Sequence, residues 1–178
     1  MAFVFQYGSN MSAARLNHSD RLAGDAKAIG VAMTVEPFEF GFTVWSKSNT
    51  CAAADIAPGA AGVRIYGVVY EIPDSLISRD TAKTQGRKSM DAIEGEGMNY
   101  VRQTLELERL DGAKLTAMTY VVKDRKVNLK TSLPYVQHIF DGMKENDIPI
   151  DYQRYIAARI IENNPALQDQ LSGIYRDA

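Results

Sequence analysis

The middle of the chain carries short runs of β-branched and aromatic residues, and Val63–Ile72 is the strongest predicted strand. Apolar and acidic residues alternate in Tyr100–Leu110, and Asp-Gly joins this run to Ala113–Val122. Because Asp-Gly favours a tight turn, the two runs predict a β-hairpin. Four further strands are predicted over Ala2–Gln6, Ala28–Val35, Phe38–Trp45 and Cys51–Ile56.

Helical patterns lie mainly near the C-terminus. Ser132-Leu133-Pro134 is a typical helix start, and Tyr135, Ile139 and Met143 follow on one face at helical spacing. Pro149 separates this helix from a second over Asp151–Glu162. Strands and helices do not alternate regularly, which argues against a doubly wound sheet and predicts an α+β fold.

Two shorter helices are predicted earlier in the chain. Met11–Leu22 follows a Ser-Asn pair that favours helix starts, and Leu16 is its expected inward residue. Ser89–Glu94 predicts one or two helical turns, ended by the glycines that follow it.

Composition narrows the class of protein without naming a function. The chain has 178 residues, 46% hydrophobic and 24% charged, which predicts a single globular domain over residues 1–178. Net charge is −2 and no basic stripe is present, so neither nucleic-acid nor membrane-surface binding is expected. No apolar stretch approaches the roughly 20 residues of a membrane span. One cysteine is typical of a reducing compartment, and we expect a cytoplasmic protein.

The first segment that could carry chemistry is Tyr7-Gly8-Ser9-Asn10, between a predicted strand and a predicted helix. Gly8 allows the backbone to approach a ligand closely. Free N–H groups at the start of a helix can bind a carboxylate or an oxyanion. The motif alone is also consistent with an ordinary capped turn, which is the commoner case.

The second segment is Met90-Asp91-Ala92-Ile93-Glu94-Gly95. Asp91 and Glu94 are three residues apart and share a face of a helix. Partial burial would raise the pKa of such a carboxyl group and suit it to proton transfer. A solvated acidic helix end is the alternative, and nearby Glu96 is easily mistaken for the functional acid.

Other reactive residue types give weaker signals. His18 and His138 lack the spacing of metal ligands, so no metal site is expected. Cys51 lies beside three alanines in a predicted strand, which indicates a small buried side chain. Ser9 lacks the Gly-x-Ser-x-Gly context of a serine nucleophile.

Four blocks, in order, resemble the γ-glutamylcyclotransferase family. The first is the intact Tyr-Gly-Ser-Asn motif, and the second is the strand Tyr66-Gly67-Val68-Val69-Tyr70. The third joins the Asp-x-x-Glu-Gly segment to Gly97-Met98-Asn99-Tyr100. The fourth runs from Pro134-Tyr135 through Gly142–Pro149 to Tyr152.

This resemblance implies a mixed β-barrel flanked by helices and an enzyme that needs no cofactor. It implies that Glu94 is the catalytic acid and base, and that the substrate-binding residues are Tyr7, Gly8, Ser9, Asn10, Tyr100 and Tyr135. The implied reaction cyclises a γ-glutamyl group to 5-oxoproline and releases an amino acid or amine. The expected partner is thus a small γ-glutamyl molecule, and the sequence leaves open whether the chain forms a homodimer.

Three alternatives remain at the level of sequence. The chain could be a binding module of the same fold without catalysis, or a cyclotransferase for a γ-glutamyl-lysine or a γ-glutamylated natural product. It could also be a hydrolase that uses Ser9 or Cys51. The polar segment Asp80–Lys88 departs from shorter family members and predicts either a lid or a surface insertion.

Overall fold

The strands lie close to their predicted positions in the computed structural model, which describes residues 1–79 and 87–175. They are β1 (Ala2–Gln6), β2 (Lys27–Thr34), β3 (Phe38–Ser46), β4 (Cys51–Pro58), β5 (Tyr66–Ile72), β6 (Tyr100–Arg109) and β7 (Lys114–Val122).

Five of these strands close into a barrel in the order β1-β5-β2-β6-β7. Neighbouring strands are antiparallel except at the closure, where β1 meets β7 in parallel and Val4 lies opposite Met118. β3 and β4 form a separate two-stranded antiparallel sheet. The expected α+β fold with a mixed barrel is therefore confirmed.

β5 lies between β1 and β2, and its central residues Val68, Val69 and Tyr70 are all buried. Burial on both faces explains why this strand is a continuous apolar run rather than an alternating one. At Gly67, an added methyl group would lie 2.4 Å from the carbonyl oxygen of Gln6. Glycine therefore allows β5 to approach the end of β1 closely.

The helices are α1 (Ala13–Leu16), α2 (Met90–Glu94), α3 (Leu133–Glu145), α4 (Ile150–Asn163) and α5 (Gln168–Tyr175). The predicted inner face of α3 is confirmed, because Tyr135, Ile139 and Met143 are buried. α4 follows Pro149 as expected, whereas α5 was not predicted. None of the helices in the described part of the chain is long and apolar enough to cross a membrane.

The predicted helix over Met11–Leu22 is wrong in its extent. A 3-10 turn covers Ser9–Met11, and α1 is only one turn long. Ser12 separates the two, since its extended backbone and its hydroxyl, which accepts from Arg15 N at 3.3 Å, cap α1. The side chain of Asn17 then bonds both backbone groups of Ala26 at 2.9 Å, which turns the chain toward β2.

Residues 80–86 of the segment Asp80–Lys88 lie outside the described residues, so the lid and the insertion both stay predictions. Its last two residues are described. Arg87 forms an ion pair with Asp25, and the backbone N–H of Lys88 donates to the carbonyl of Arg21 at 3.0 Å.

Helix α3 approaches the turn after β1 so closely that only glycine fits at position 142. A methyl group there would lie 2.7 Å from both the Cβ of Met11 and the backbone nitrogen of Ser12. Asn146 reinforces this contact by donating to the carbonyl of Met11 at 3.2 Å.

We expect Gly142→Ala to destabilise the protein by about 1–3 kcal/mol, although alanine usually favours a helix interior, because overpacking must displace the turn. Urea unfolding measures this change. Gly41→Ala is the matched control, since its methyl group would meet only Thr43 Cγ2, at 3.5 Å. A Gly142→Ala variant as stable as the parent would contradict the packing argument.

Candidate active site

The Tyr7–Asn10 segment follows the end of β1 and packs against β4. Its 3-10 turn begins with a hydrogen bond from the backbone N–H of Met11 to the carbonyl of Gly8, at 3.0 Å. A methyl group at Gly8 would lie 3.4 Å from the Cβ of Ala54 on β4. The small residue thus allows the turn to pack directly against the β3–β4 sheet.

Helix α2 brings Glu94 to this turn from a distant part of the chain. Ser89 caps the helix, with its hydroxyl accepting from Ala92 N at 3.2 Å, and Gly95 ends it in the left-handed conformation. The side-chain amide of Asn10 donates to Glu94 Oε1 at 2.9 Å. Arg21 extends this series of hydrogen bonds by donating to Asn10 Oδ1 at 2.8 Å.

Asp91 and Glu94 differ in role although both lie on α2. Asp91 is buried and accepts from the hydroxyl of Tyr120 at 2.9 Å. Arg102 lies 3.3 Å from the same oxygen, Asp91 Oδ1. Asp91 therefore anchors α2 to the barrel, whereas Glu94 lines the cavity next to Asn10.

The carboxyl group of Glu94 lies in an environment that disfavours its charged form. Part of the residue reaches an open cleft, but the carboxyl group itself is surrounded by protein, and this burial raises its pKa. The hydrogen bond from Asn10, the charge of Arg21 and the side chain of Gln6 act in the opposite direction. A carboxyl group balanced in this way is suited to take up and return a proton.

Three tyrosines form the remaining wall through fixed hydroxyl groups. Tyr7 donates to the carbonyl of Tyr120 at 2.7 Å. Tyr100 donates to the carbonyl of Ala54 at 2.8 Å, and Tyr135 accepts from the N–H of the same residue at 3.0 Å. Burial raises the pKa of Tyr135 to about 12, and burial likewise raises the pKa of Tyr7 and Tyr100. All three hydroxyls therefore stay protonated near neutral pH.

These side chains enclose an inner cavity of about 30 Å³ that adjoins an outer cleft of about 440 Å³. The seven residues predicted for the site all line the inner cavity, together with Gln6, Ala54, Thr119 and Tyr120. Five of the seven also line the outer cleft: Ser9, Asn10, Glu94, Tyr100 and Tyr135. The structure thus brings every predicted residue into one place, while their roles stay predictions.

Sequence reasoning missed Gln6, Arg21, Ala54 and Tyr120. Gln6 offered a signal, because it is a polar residue at the end of an otherwise apolar strand directly before the loop. Ala54 contributes only its backbone N–H and C=O, which no sequence pattern distinguishes.

The competing nucleophiles have no arrangement for catalysis among the described residues. Cys51 is buried in β4, which agrees with its prediction as a small buried side chain. Ser9 lines the cavity, but His18 and His138 line neither the cavity nor the cleft, so neither is placed to act as its base.

The model of one protein family, described as γ-glutamyl cyclotransferase, AIG2-like, matches residues 4–138. The chain belongs to this family. The matched range includes both the Tyr7–Asn10 loop and Glu94, and the predicted family resemblance is confirmed.

Solved structures show the same fold at low sequence identity. One, a γ-glutamyl cyclotransferase, has a TM-score of 0.71 and 23% identity, with 88% of this chain and 86% of that chain covered. An uncharacterized protein from Homo sapiens, loc79017, gives the same values. YkqA from Bacillus subtilis has a TM-score of 0.66 and 19% identity, with 89% of this chain and 54% of that chain covered. No curated protein matches the chain.

The raised pKa of Glu94 has a consequence for stability. The folded protein holds the proton more tightly than the unfolded chain, so stability is lost as pH rises through the folded pKa. Glutamine has no charge to bury and can still accept the bond from Asn10. We therefore expect the melting temperature of Glu94→Gln, relative to the parent, to increase from acidic to neutral pH.

Thermal unfolding of both proteins at a series of pH values measures this difference. Glu96→Gln controls for the loss of one carboxylate on the same segment. A difference for Glu94→Gln that stays constant or shrinks toward neutral pH would contradict the assigned direction of the shift.

Proposed function

We propose that the protein is a γ-glutamylcyclotransferase that converts the γ-glutamyl group of γ-glutamyl amino acids or amines to 5-oxoproline. The observation that carries the proposal is the position of Glu94, a carboxyl group of raised pKa that shares a cavity with the Tyr7–Asn10 loop. Membership of the family supports the same reaction.

The substrate supplies its own nucleophile. The nitrogen of the substrate α-amine bonds to the γ-carbonyl carbon, which closes a five-membered ring. The bond between that carbon and the amide nitrogen then breaks. Between the α-ammonium and the ring amide, the nucleophilic nitrogen loses two protons. Both end on the leaving amine, which departs as an ammonium, and no water is consumed. The protein therefore needs to fold the substrate, hold its charges and transfer these protons.

Glu94 transfers these protons. Its carboxylate takes the first from the substrate α-ammonium, which makes the amine nucleophilic, and donates it to the leaving nitrogen as the C–N bond breaks. The regenerated carboxylate then takes the second proton from the ring nitrogen, and the released amine binds it. The carboxylate must be ionised to begin and must become a competent acid afterwards. Burial raises its pKa and so favours the acid, while the bond from Asn10 lowers the pKa and favours the base.

The Tyr7–Asn10 loop binds the compact γ-glutamyl end. Its backbone N–H groups hold either the substrate α-carboxylate or the oxyanion that forms on the γ-carbonyl. The protonated hydroxyls of Tyr7, Tyr100 and Tyr135 line the same cavity and fix its shape. Holding the substrate in a cyclising conformation lowers the barrier by several kcal/mol, on the order of a well-placed intramolecular reaction.

The cellular setting is part of the same proposal. Cys51 is a free, buried thiol, which is consistent with a reducing compartment such as the cytoplasm.

We expect Glu94→Gln to lower kcat for 5-oxoproline formation by about a hundredfold to ten-thousandfold, because the amide cannot accept the proton. Mass spectrometry of 5-oxoproline from γ-glutamyl dipeptides, γ-glutamyl amines and glutathione measures this loss.

Glu96→Gln is the matched control, since Glu96 lies two residues away but lines neither the cavity nor the cleft. It should keep the activity of the parent. Full activity in Glu94→Gln would remove this residue from the mechanism, and binding of the panel without turnover in the parent would favour a silent binding module.

A further inference from the structure

The outer cleft begins where the inner cavity ends and extends away from Glu94. Besides the residues that it shares with the inner cavity, three parts of the chain form it: α1 with the segment after it, the turn between β3 and β4, and the segment from α2 to β6. Its volume of about 440 Å³ is within the usual range for a small-molecule site. A substrate whose γ-glutamyl end lies at Glu94 must place its leaving group here.

The charges that line this cleft are unbalanced. Arg15, Arg21 and Lys47 contribute three cations, while Glu94 is the one carboxylate among the described residues that line it. Within the described part of the chain, none of these three cations has a carboxylate within 4.0 Å.

Arg15 shows this imbalance most directly. Its Nη2 donates to Asn49 Oδ1 at 3.2 Å, but its Nε is shielded from solvent and has no acceptor among the described residues. Burial lowers the pKa of the Arg15 guanidinium, and the charge of Arg21 lowers it further. Two guanidinium groups that repel each other in a partly buried cleft are stabilised by an anion between them.

Arg21 is placed to share such an anion. It uses one of its five N–H donors to hold Asn10, and the same planar group lines the cleft. Lys47 lies on the turn after β3, the same turn whose Asn49 accepts from Arg15, and is exposed. All three cations therefore line the volume that receives the leaving group.

We propose that the cleft binds a leaving group with a free carboxylate, so that the preferred substrates are γ-glutamyl amino acids or peptides rather than simple γ-glutamyl amines. Arg15 and Lys47 are the residues that determine this specificity. Trp45 and Met98 present exposed apolar side chains to the same cleft, which favours an apolar side chain on the leaving amino acid. The inference rests on the proposed cyclotransferase activity.

Two substrates that differ in one group test this selectivity. γ-Glutamyl-L-phenylalanine and γ-glutamyl-2-phenylethylamine share the γ-glutamyl end, including its own α-carboxylate, and the phenyl ring. Only the leaving-group carboxylate differs. We expect kcat/KM to be about 10- to 100-fold higher for the phenylalanine compound, on the order of a charged hydrogen bond. Equal kcat/KM values would overturn the proposal.

Substitutions then locate the carboxylate. In Arg15→Gln and in Lys47→Met, the ratio of the two kcat/KM values should fall about tenfold, mainly through a higher KM for the phenylalanine compound. Arg15→Lys should restore part of the ratio. Lys27→Met, which removes an exposed cation of β2 outside the cleft, should leave the ratio unchanged. A ratio of kcat/KM values that neither cleft substitution changes would overturn the assignment. Because Lys47 is exposed, Lys47→Met should fold normally and still test the assignment if Arg15→Gln unfolds.

Binding separates failure of this inference from failure of the proposed function. Calorimetric titration of Glu94→Gln with the same two compounds requires no turnover. Tighter binding of the phenylalanine compound, reversed by Lys47→Met, would support the carboxylate site even if the parent made no 5-oxoproline. Equal binding, or no binding of either compound, would overturn it.

Discussion

The hydrogen bond between the Asn10 amide and the Glu94 carboxylate joins two segments that lie 84 residues apart in the chain. Each segment depends on a rigid element: the loop follows barrel strand β1, and Glu94 ends helix α2, which Asp91 fastens to β7 through Tyr120. Burial favours the neutral form of the carboxyl group by raising its pKa, and the bond from Asn10 favours the ionised form. The balance between desolvation and this bond sets the chemistry available to the cavity.

The rest of the fold fixes the tyrosine side chains on the other side of the cavity from the Asn10–Glu94 bond. Ala54 on β4 anchors Tyr100 and Tyr135 through its two backbone groups. The next residue, Asp55, is completely buried and accepts from Thr43 at 2.9 Å, from the N–H of Val122 at 2.9 Å and from Arg125 at 2.6 Å. A buried carboxylate with three partners ties the β3–β4 sheet to the barrel, so the tyrosine hydroxyls keep their positions.

Local patterns in the sequence were sufficient for most of the fold. Asp-Gly defined the β6–β7 hairpin, and helical spacing defined the inner face of α3. The helix predicted over Met11–Leu22 failed because Ser12 and Asn17 bond to nearby backbone groups instead of continuing the helix.

For the site, the sequence indicated which residues are involved but did not distinguish their roles. Asp91 and Glu94 carry the same charge on one short helix, and only the long-range contacts of Tyr120 and Asn10 distinguish an anchor from a cavity carboxyl group. Arg21 and the backbone of Ala54 were missed for the same reason, since their contributions depend on contacts distant in sequence.

The most direct test of cyclisation is turnover of γ-glutamyl-L-phenylalanine in water enriched in ¹⁸O, with mass spectrometry of the products. If the substrate α-amine is the nucleophile, as the position of Glu94 implies, the products are phenylalanine and 5-oxoproline, and neither gains ¹⁸O. Release of glutamate carrying one ¹⁸O atom would show that water attacks the γ-carbonyl or an acyl-enzyme, and would contradict the account.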